Sequence, residues 1–193
     1  MKSICVFCGS SSGSYHGHAQ EAATLGRLLA HKSITLIYGG AAVGIMGAVA
    51  NAALEQNGRV IGVIPEFLSK KEIRHQNLTE LITVQSMHQR KQKMAQLSEG
   101  FIALPGGFGT LEELCEILTW TQLGLLLHPV GILNVDGYFD HLLKLFDHMV
   151  DQGFLKMENR EMVIESDHPQ KLLSAMEQYQ PRPVPKWLDV SET

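Results

Sequence analysis

The chain has 193 residues, 45% of them hydrophobic and 19% charged, with 18 Gly and 7 Pro, a composition that excludes fibrous and low-complexity classes. A chain of this length removes roughly 70% of its unfolded surface from water, so it can build a core without disulfide or metal staples. Twenty Asp plus Glu against sixteen Lys plus Arg leave a formal charge of -4, which argues against a nucleic-acid polymer or an anionic membrane as partner.

Short runs rich in Ile and Val alternate with longer segments of helical period. The strands expected in chain order are Ser3 to Cys8, Ile34 to Tyr38, Arg59 to Ile64, Leu81 to Val84, Phe101 to Leu104, Val130 to Val135 and Met162 to Glu165. Several are continuous apolar runs, as expected where both faces of a sheet are covered. The alternation predicts one α/β domain over residues 1–180, a doubly wound, mainly parallel sheet of about seven strands. Right-handed crossovers then place the strand C-terminal ends, where ligands bind, on one side. Pro65 to Asn77 is polar and long enough to cover a site, and residues 181–193, opening with Pro181 to Pro185, read as an exposed tail.

No segment spans a membrane on this reading: Ala41 to Leu54 is interrupted by Gly44, Gly47 and Asn51 and falls short of the roughly 20 apolar residues required. Ile4 to Cys8 is too short for a signal core of about 7 to 15 residues. Cys5, Cys8 and Cys115 have no disulfide spacing, so a cytoplasmic location is expected. Cys5 and Cys8 form a nominal C-x-x-C, but both sit in a strand pattern rather than at a helix start, which predicts buried small residues rather than a redox pair. The nine His have no ligand spacing, and no metal site is expected.

Three glycine-rich turns fall at strand ends: Gly9-Ser10-Ser11-Ser12-Gly13, Gly39-Gly40 running to Gly44 and Gly47, and Gly106-Gly107-Phe108-Gly109-Thr110. Glycine admits close backbone approach, and the free N–H groups of a helix start attract phosphate. Any one turn is better explained by tight strand-to-helix packing; three on one rim favour an anionic ligand. The pattern lacks G-x-G-x-x-G after the first strand and the Gly-Lys of a P-loop, which leaves a smaller phosphorylated compound such as a nucleoside monophosphate.

Two helices carry charged residues near these turns. Ser86 and Gln89 fit a capping box that fixes the start of one. Arg90 and Lys91 follow in its first turn, where cations oppose the helix dipole unless an anion is shared. Arg90 lies three residues after Met87 and four before Met94, so it points partly inward. Its spacing fits an anion contact and a structural ion pair equally. In the other helix an apolar stripe is expected through Leu111, Leu114, Cys115 and Leu118, with Glu112 and Glu116 outward and Glu113 at the stripe's edge. Thr110 as N-cap with Glu113 three residues on would form a second capping box. A carboxylate beside a phosphate-binding turn also makes sense where positive charge develops on the ligand, as on a sugar carbon losing its base.

SMHQRK at 86–91 and PGGFGTLEE at 105–113, with CVFCGSSSG, YGGAAVGIMG and LNVDGYFD elsewhere, resemble the motifs of the LONELY GUY (LOG) family of cytokinin riboside 5'-monophosphate phosphoribohydrolases. The resemblance covers essentially the whole chain. It implies a Rossmann-like fold, no cofactor, and a homodimer with sites near its interface. The implied reaction is hydrolysis of the N-glycosidic bond of a nucleoside 5'-monophosphate to free base and ribose 5-phosphate. It also implies Arg90 and Glu113 as catalytic residues, and Glu72, Arg90, Lys91, Gly107, Phe108, Gly109, Thr110, Leu111, Glu112, Glu113 and Thr119 as substrate-binding positions. Gly9, Ser10, Gly39, Gly40, Gly44, Gly47 and Gly106 are the further expected loop contacts. Members of the family have been labelled lysine decarboxylases, but nothing in the motifs marks a lysine that would hold pyridoxal phosphate. The alternative is a protein of the same fold that carries a nucleotide or phosphorylated cofactor without turning it over.

Overall fold

The structure is a computed structural model that describes residues 1–69 and 74–181. Seven strands run through it: β1 (Ser3–Phe7), β2 (Thr35–Tyr38), β3 (Val60–Pro65), β4 (Glu80–Val84), β5 (Phe101–Ala103), β6 (Val130–Leu133) and β7 (Val163–Ser166). They alternate with α1 (Gly17–His31), α2 (Gly44–Glu55), α3 (Glu66–Ser69), α4 (Met87–Gln96), α5 (Phe108–Gln122), α6 (Asp140–Asp151), α7 (Met157–Arg160) and α8 (Pro169–Glu177). Each strand lies within two residues of its expected bounds. The largest excess is at β6, expected to reach Val135. There the Asn134 side chain bonds the Asp140 carboxylate and the Phe139 N–H, and Asp136 takes a positive φ of 54°, so the chain leaves the sheet after Leu133.

The sheet order is β4-β3-β2-β1-β5-β6-β7 and every pairing is parallel, so "mainly parallel" becomes wholly parallel. The strand period of two divides the side chains between two cores. Ile4 and Val6 of β1, and Cys8 just after it, face one, with Leu25 and Leu29 of α1, Val49 of α2 and Leu172 of α8. Cys5 and Phe7 face the other, with Met94 of α4, Leu114 and Ile117 of α5, and Phe146 of α6. β3 is buried throughout and β1 at all but its first residue, whereas β4 at the sheet edge is half-exposed.

From β1 the chain winds outward to β4, then returns to β5 on the other side of β1 and winds out to β7. The switch point lies between β1 and β5, where a parallel sheet leaves a crevice for a ligand. Because β2, β1 and β5 are neighbours, the three glycine-rich turns that follow them share one rim.

The chain after β3 is tied back to that rim. Arg74 bridges to Ala41, the His75 N–H donates to the Gly40 carbonyl, and the His75 ring contacts the Asn51 side chain at 2.8 Å. The Asn77 N–H donates to His75 Nδ1, so Nε2 carries the proton and donates to Asn51 Oδ1. Burial lowers the imidazole pKa below its usual 6.5. The folded state therefore holds a neutral His75, whose contribution is present above pH 6.5 and lost as pH falls below it, because the unfolded chain takes the proton first. Unfolding titrations should show stability declining below pH 6.5, with the decline smaller in His75→Ala. That variant should lose about 1–3 kcal/mol at pH 8, and equal slopes would show that His75 is not the group responsible.

Candidate active site

On the rim, the glycine at the end of β2 makes room for a cation rather than for a ligand. A Cβ on Gly39 would stand 2.1 Å from Arg90 Nη2, so the guanidinium, rooted in α4, lies across the end of β2. Arg90 is 7% exposed and Glu113, from α5, 6% exposed. Their nearest atoms, Nη2 and Oε1, are 3.8 Å apart, an ion pair but too long for a hydrogen bond. Arg90 Nη1 reaches only Met87 Sδ at 3.9 Å, and Nε has no hydrogen-bond partner among the described residues. The spacing in the sequence allows an anion contact or an ion pair; the folded chain holds the ion pair with donors left over.

Burial pushes the Glu113 carboxyl above its usual range. Arg90 and Lys91 oppose that rise, and Glu112 and Glu116 add to it. The thiols of Cys5 and Cys8 lie within the same field, and burial, reinforced by Glu113, raises both well above the usual thiol range. Both stay protonated and packed, as expected of buried small residues rather than a redox pair.

The start of α5 differs from expectation. The helix begins at Phe108 with Gly107 as N-cap, three residues ahead of the expected Thr110 cap. Thr110 is buried in the first turn beside Gly106, and Glu113 lies deeper in the helix, where it cannot close a capping box. The physical reason is that Gly107 adopts the extended N-cap conformation without needing a side chain. The buried face runs through Thr110, Glu113, Leu114, Ile117 and Thr121 instead of Leu111, Leu114, Cys115 and Leu118. Cys115 is exposed and Leu111 and Leu118 half-buried. Glu113 therefore sits in the middle of the inward face, not at its edge. The other capping box holds in altered form: Ser86 Oγ accepts from the Gln89 N–H at 3.2 Å, while Gln89 Oε1 accepts from the N–H of Gln85, one residue before the cap.

The three glycine turns divide by what surrounds them. The Gly9 and Ser11 carbonyls accept the N–H groups of Met46 and Ile45, so the start of α2 is capped by the loop after β1. Gly44, at φ +60°, lies so close to that loop that a Cβ would come within 2.3 Å of the Ser10 carbonyl carbon. Side chains at Gly9, Gly40, Gly47 and Gly106 would likewise press on neighbouring atoms, the last within 2.1 Å of Thr110 Oγ1. At Gly107 and Gly109 a Cβ would meet nothing within 4 Å, and Phe108 between them is 92% exposed. No side chain caps α5, and its first N–H groups have no intrahelical acceptor. Packing explains the other two turns; this one has the geometry of an anion site.

The remaining expected positions scatter. Lys91 is committed to carboxylates, hydrogen-bonding Glu112 and, at 3.0 Å, Glu116. Ser10 is exposed on the loop after β1. Thr119 lies nine residues beyond Thr110, about 13 Å along the helix, exposed, with its hydroxyl donated to the Cys115 carbonyl. Glu72 lies outside the described residues. One rim residue escapes the sequence reading: the Tyr138 hydroxyl donates to the Gly106 carbonyl at 2.6 Å, with its ring edge-on to His18. Its only sequence signal is its place in LNVDGYFD. Among the described residues no group of three or more His, Cys, Asp or Glu gathers as a metal site, and no helix is long and apolar enough to cross a membrane.

Residues 46–176 match the family described as "possible lysine decarboxylase". The chain is 44% identical over 182 residues to the cytokinin riboside 5'-monophosphate phosphoribohydrolase LOG2 of Arabidopsis thaliana, covering 94% of this chain and 85% of that one. It is 46% identical over 181 residues to LOG5 of the same plant, covering 94% and 79%. Among solved structures, the molybdenum cofactor binding protein of Rippkaea orientalis superposes with a TM-score of 0.70 over 92% of this chain and 97% of that one, at 22% identity. That likeness is one of fold.

The contrast among the glycines sets a measurable expectation. Gly44→Ala should destabilise by about 1–3 kcal/mol, from strain at positive φ and collision with backbone. Gly109→Ala should stay within about 0.5 kcal/mol of the parent. Thermal unfolding of the two variants checks this, and equal losses would contradict the assignment.

Proposed function

The chain belongs to the LONELY GUY (LOG) family, matched under the description "possible lysine decarboxylase", and we propose that Arg90, Glu113 and the open start of α5 are what carry its activity. That activity is hydrolysis of the N-glycosidic bond of a nucleoside 5'-monophosphate, the class of reaction named for its relatives. The chain is an N-glycosyl hydrolase. Free base and ribose 5-phosphate are the products.

The observation that carries the site assignment is a buried guanidinium with unspent donors facing a buried carboxylate, one and a half turns from an uncapped helix start. The 5'-phosphate is held by the N–H groups of Phe108, Gly109 and Thr110, aided by the helix dipole. Glu113 lies about 7.5 Å further along the axis, so the phosphate fixes the ribose with its anomeric carbon toward the carboxylate. As the bond from C1' to the base nitrogen breaks, its electron pair leaves with the base and C1' gains oxocarbenium character. The Glu113 carboxylate stabilises that charge and accepts a hydrogen bond from the water that adds to C1'. One water proton ends on the base. Arg90 orients the ribose phosphate through its free donors and opposes the rise that burial imposes on the Glu113 carboxyl.

We also propose a homodimer in a reducing, cytoplasmic compartment. All three cysteines are free thiols, which suits such a compartment. An apolar groove on the outer face of α5 and α6, lined by Cys115, Leu118, Phe146, Met149 and Leu155, supports the dimer. Thr119 lines this groove, away from Glu113, so its contact with a substrate would be made in the neighbouring copy. Leu118→Glu should convert the dimer to monomer in sedimentation analysis, and an unchanged mass would move the interface elsewhere.

Incubation of the protein with AMP, and with isopentenyladenosine monophosphate, should release free base from at least one of them. Tight binding without base release would instead favour a carrier, and consumption of lysine a decarboxylase. Glu113→Gln should retain nucleotide binding within a few-fold and lose about 10²–10³-fold in turnover. Because the raised carboxyl must be ionised to act, activity should fall with decreasing pH through a limb above pH 4.5, the ordinary glutamate value. A limb at or below that value would remove Glu113 from the role.

A further inference from the structure

Resting on the functional reading above, we infer that Lys91 is a positioning residue and that Glu116, which the resemblance does not assign, works with it. Held between Glu112 and Glu116, Lys91 fixes α4 against α5 and so sets the separation of Arg90 and Glu113. Consecutive residues of α4, Arg90 and Lys91, meet residues of α5 that occupy successive turns. Arg90 faces Glu113 on the buried side, and Lys91 faces Glu112 and Glu116 beside it. The Lys91 side chain is only 10% exposed. Two of the three N–H donors of its ammonium are engaged, one by each carboxylate. On the inner side, beyond apolar packing in the shared core, α4 and α5 are joined by the 3.8 Å charge pair, which is not a hydrogen bond. The outer clamp supplies the directional bonds that the inner pair lacks.

The clamp also sets the charge around the carboxylate. Among the described residues, the charged and titratable groups that act on Glu113 are Arg90 and Lys91 on α4, Glu112 and Glu116 on α5, and the protonated thiols of Cys5 on β1 and Cys8 just after it. Lys91 lowers the Glu113 pKa and Glu116 raises it. Burial opposes the charge on Lys91, but its bonds to Glu112 and Glu116 outweigh that and hold the ammonium above the usual lysine range. Lys91 remains a cation at any pH at which the site works.

The experiment compares Lys91→Met, Lys91→Arg and Glu116→Gln with the parent. The readouts are the Glu113 titration by difference infrared spectroscopy on ligand-free protein, AMP affinity by calorimetry, and turnover. A positioning role predicts that Lys91→Met moves the Glu113 titration to higher pH and lowers kcat by about tenfold with KM within about twofold. Glu116→Gln should move it to lower pH with AMP affinity unchanged, and Lys91→Arg should recover most of the parent behaviour. A phosphate-binding lysine predicts the reverse pattern. Lys91→Met would then raise KM about tenfold with kcat unchanged, and Glu116→Gln would tighten AMP binding by releasing the lysine; either result overturns the proposal. Because the titration is read without substrate, failure of the parent protein to release base would end the functional reading and leave this test intact.

Discussion

Arg90 and Glu113 are both withdrawn from water, and each charge loses several kcal/mol of hydration in the process. At 3.8 Å without a hydrogen bond, they recover only part of that from each other. Breaking such a pair from one side is more costly still, about 3–5 kcal/mol. The surrounding architecture has to hold two helices at a spacing that neither charge would choose alone. Met94 and Ala95 of α4, and Leu114 and Ile117 of α5, do so by packing on the same face of the sheet. A Gly39 without a side chain leaves the opening through which the guanidinium reaches the end of β2.

This arrangement separates two uses of glycine that look alike in a sequence. Gly9, Gly39, Gly44, Gly47 and Gly106 are small because protein atoms occupy the place of a side chain. They bring the loops after β1, β2 and β5 into contact and let the loop after β1 cap α2. Gly107 and Gly109 are surrounded by open space. The start of α5 lies on this rim, beside the switch point that the sheet order creates. His75 and Tyr138 extend the rim from either side, one bonded to the Gly40 carbonyl through its main chain and the other to the Gly106 carbonyl through its hydroxyl.

Much of this is legible in the chain before it folds. Seven apolar runs separated by helical segments imply the seven strands, because a strand buried on both faces must be apolar throughout. The motifs at 86–91 and 105–113 lead to Arg90 and Glu113 as a pair without any geometry. The start of α5 is misplaced by sequence reasoning because Thr110 and Glu113 have the spacing of a capping box, whereas Gly107 begins the helix without a side-chain cap. That displacement shifts the expected inward face and leaves Glu113 at its edge. The resemblance gives Lys91 as a substrate contact, and its partners in the fold, Glu112 and Glu116, lie 21 and 25 residues away, beyond any local pattern.

The sequence by itself determined the strand-and-helix alternation, the parallel class of the sheet and the family, since these follow from hydrophobic period and from short contiguous motifs. Only the tertiary structure decided which cation meets which carboxylate, and which glycines face protein rather than open space. Charge pairing and close packing depend on distances between segments far apart along the chain, and those distances exist only after β2, β1 and β5 have come together side by side.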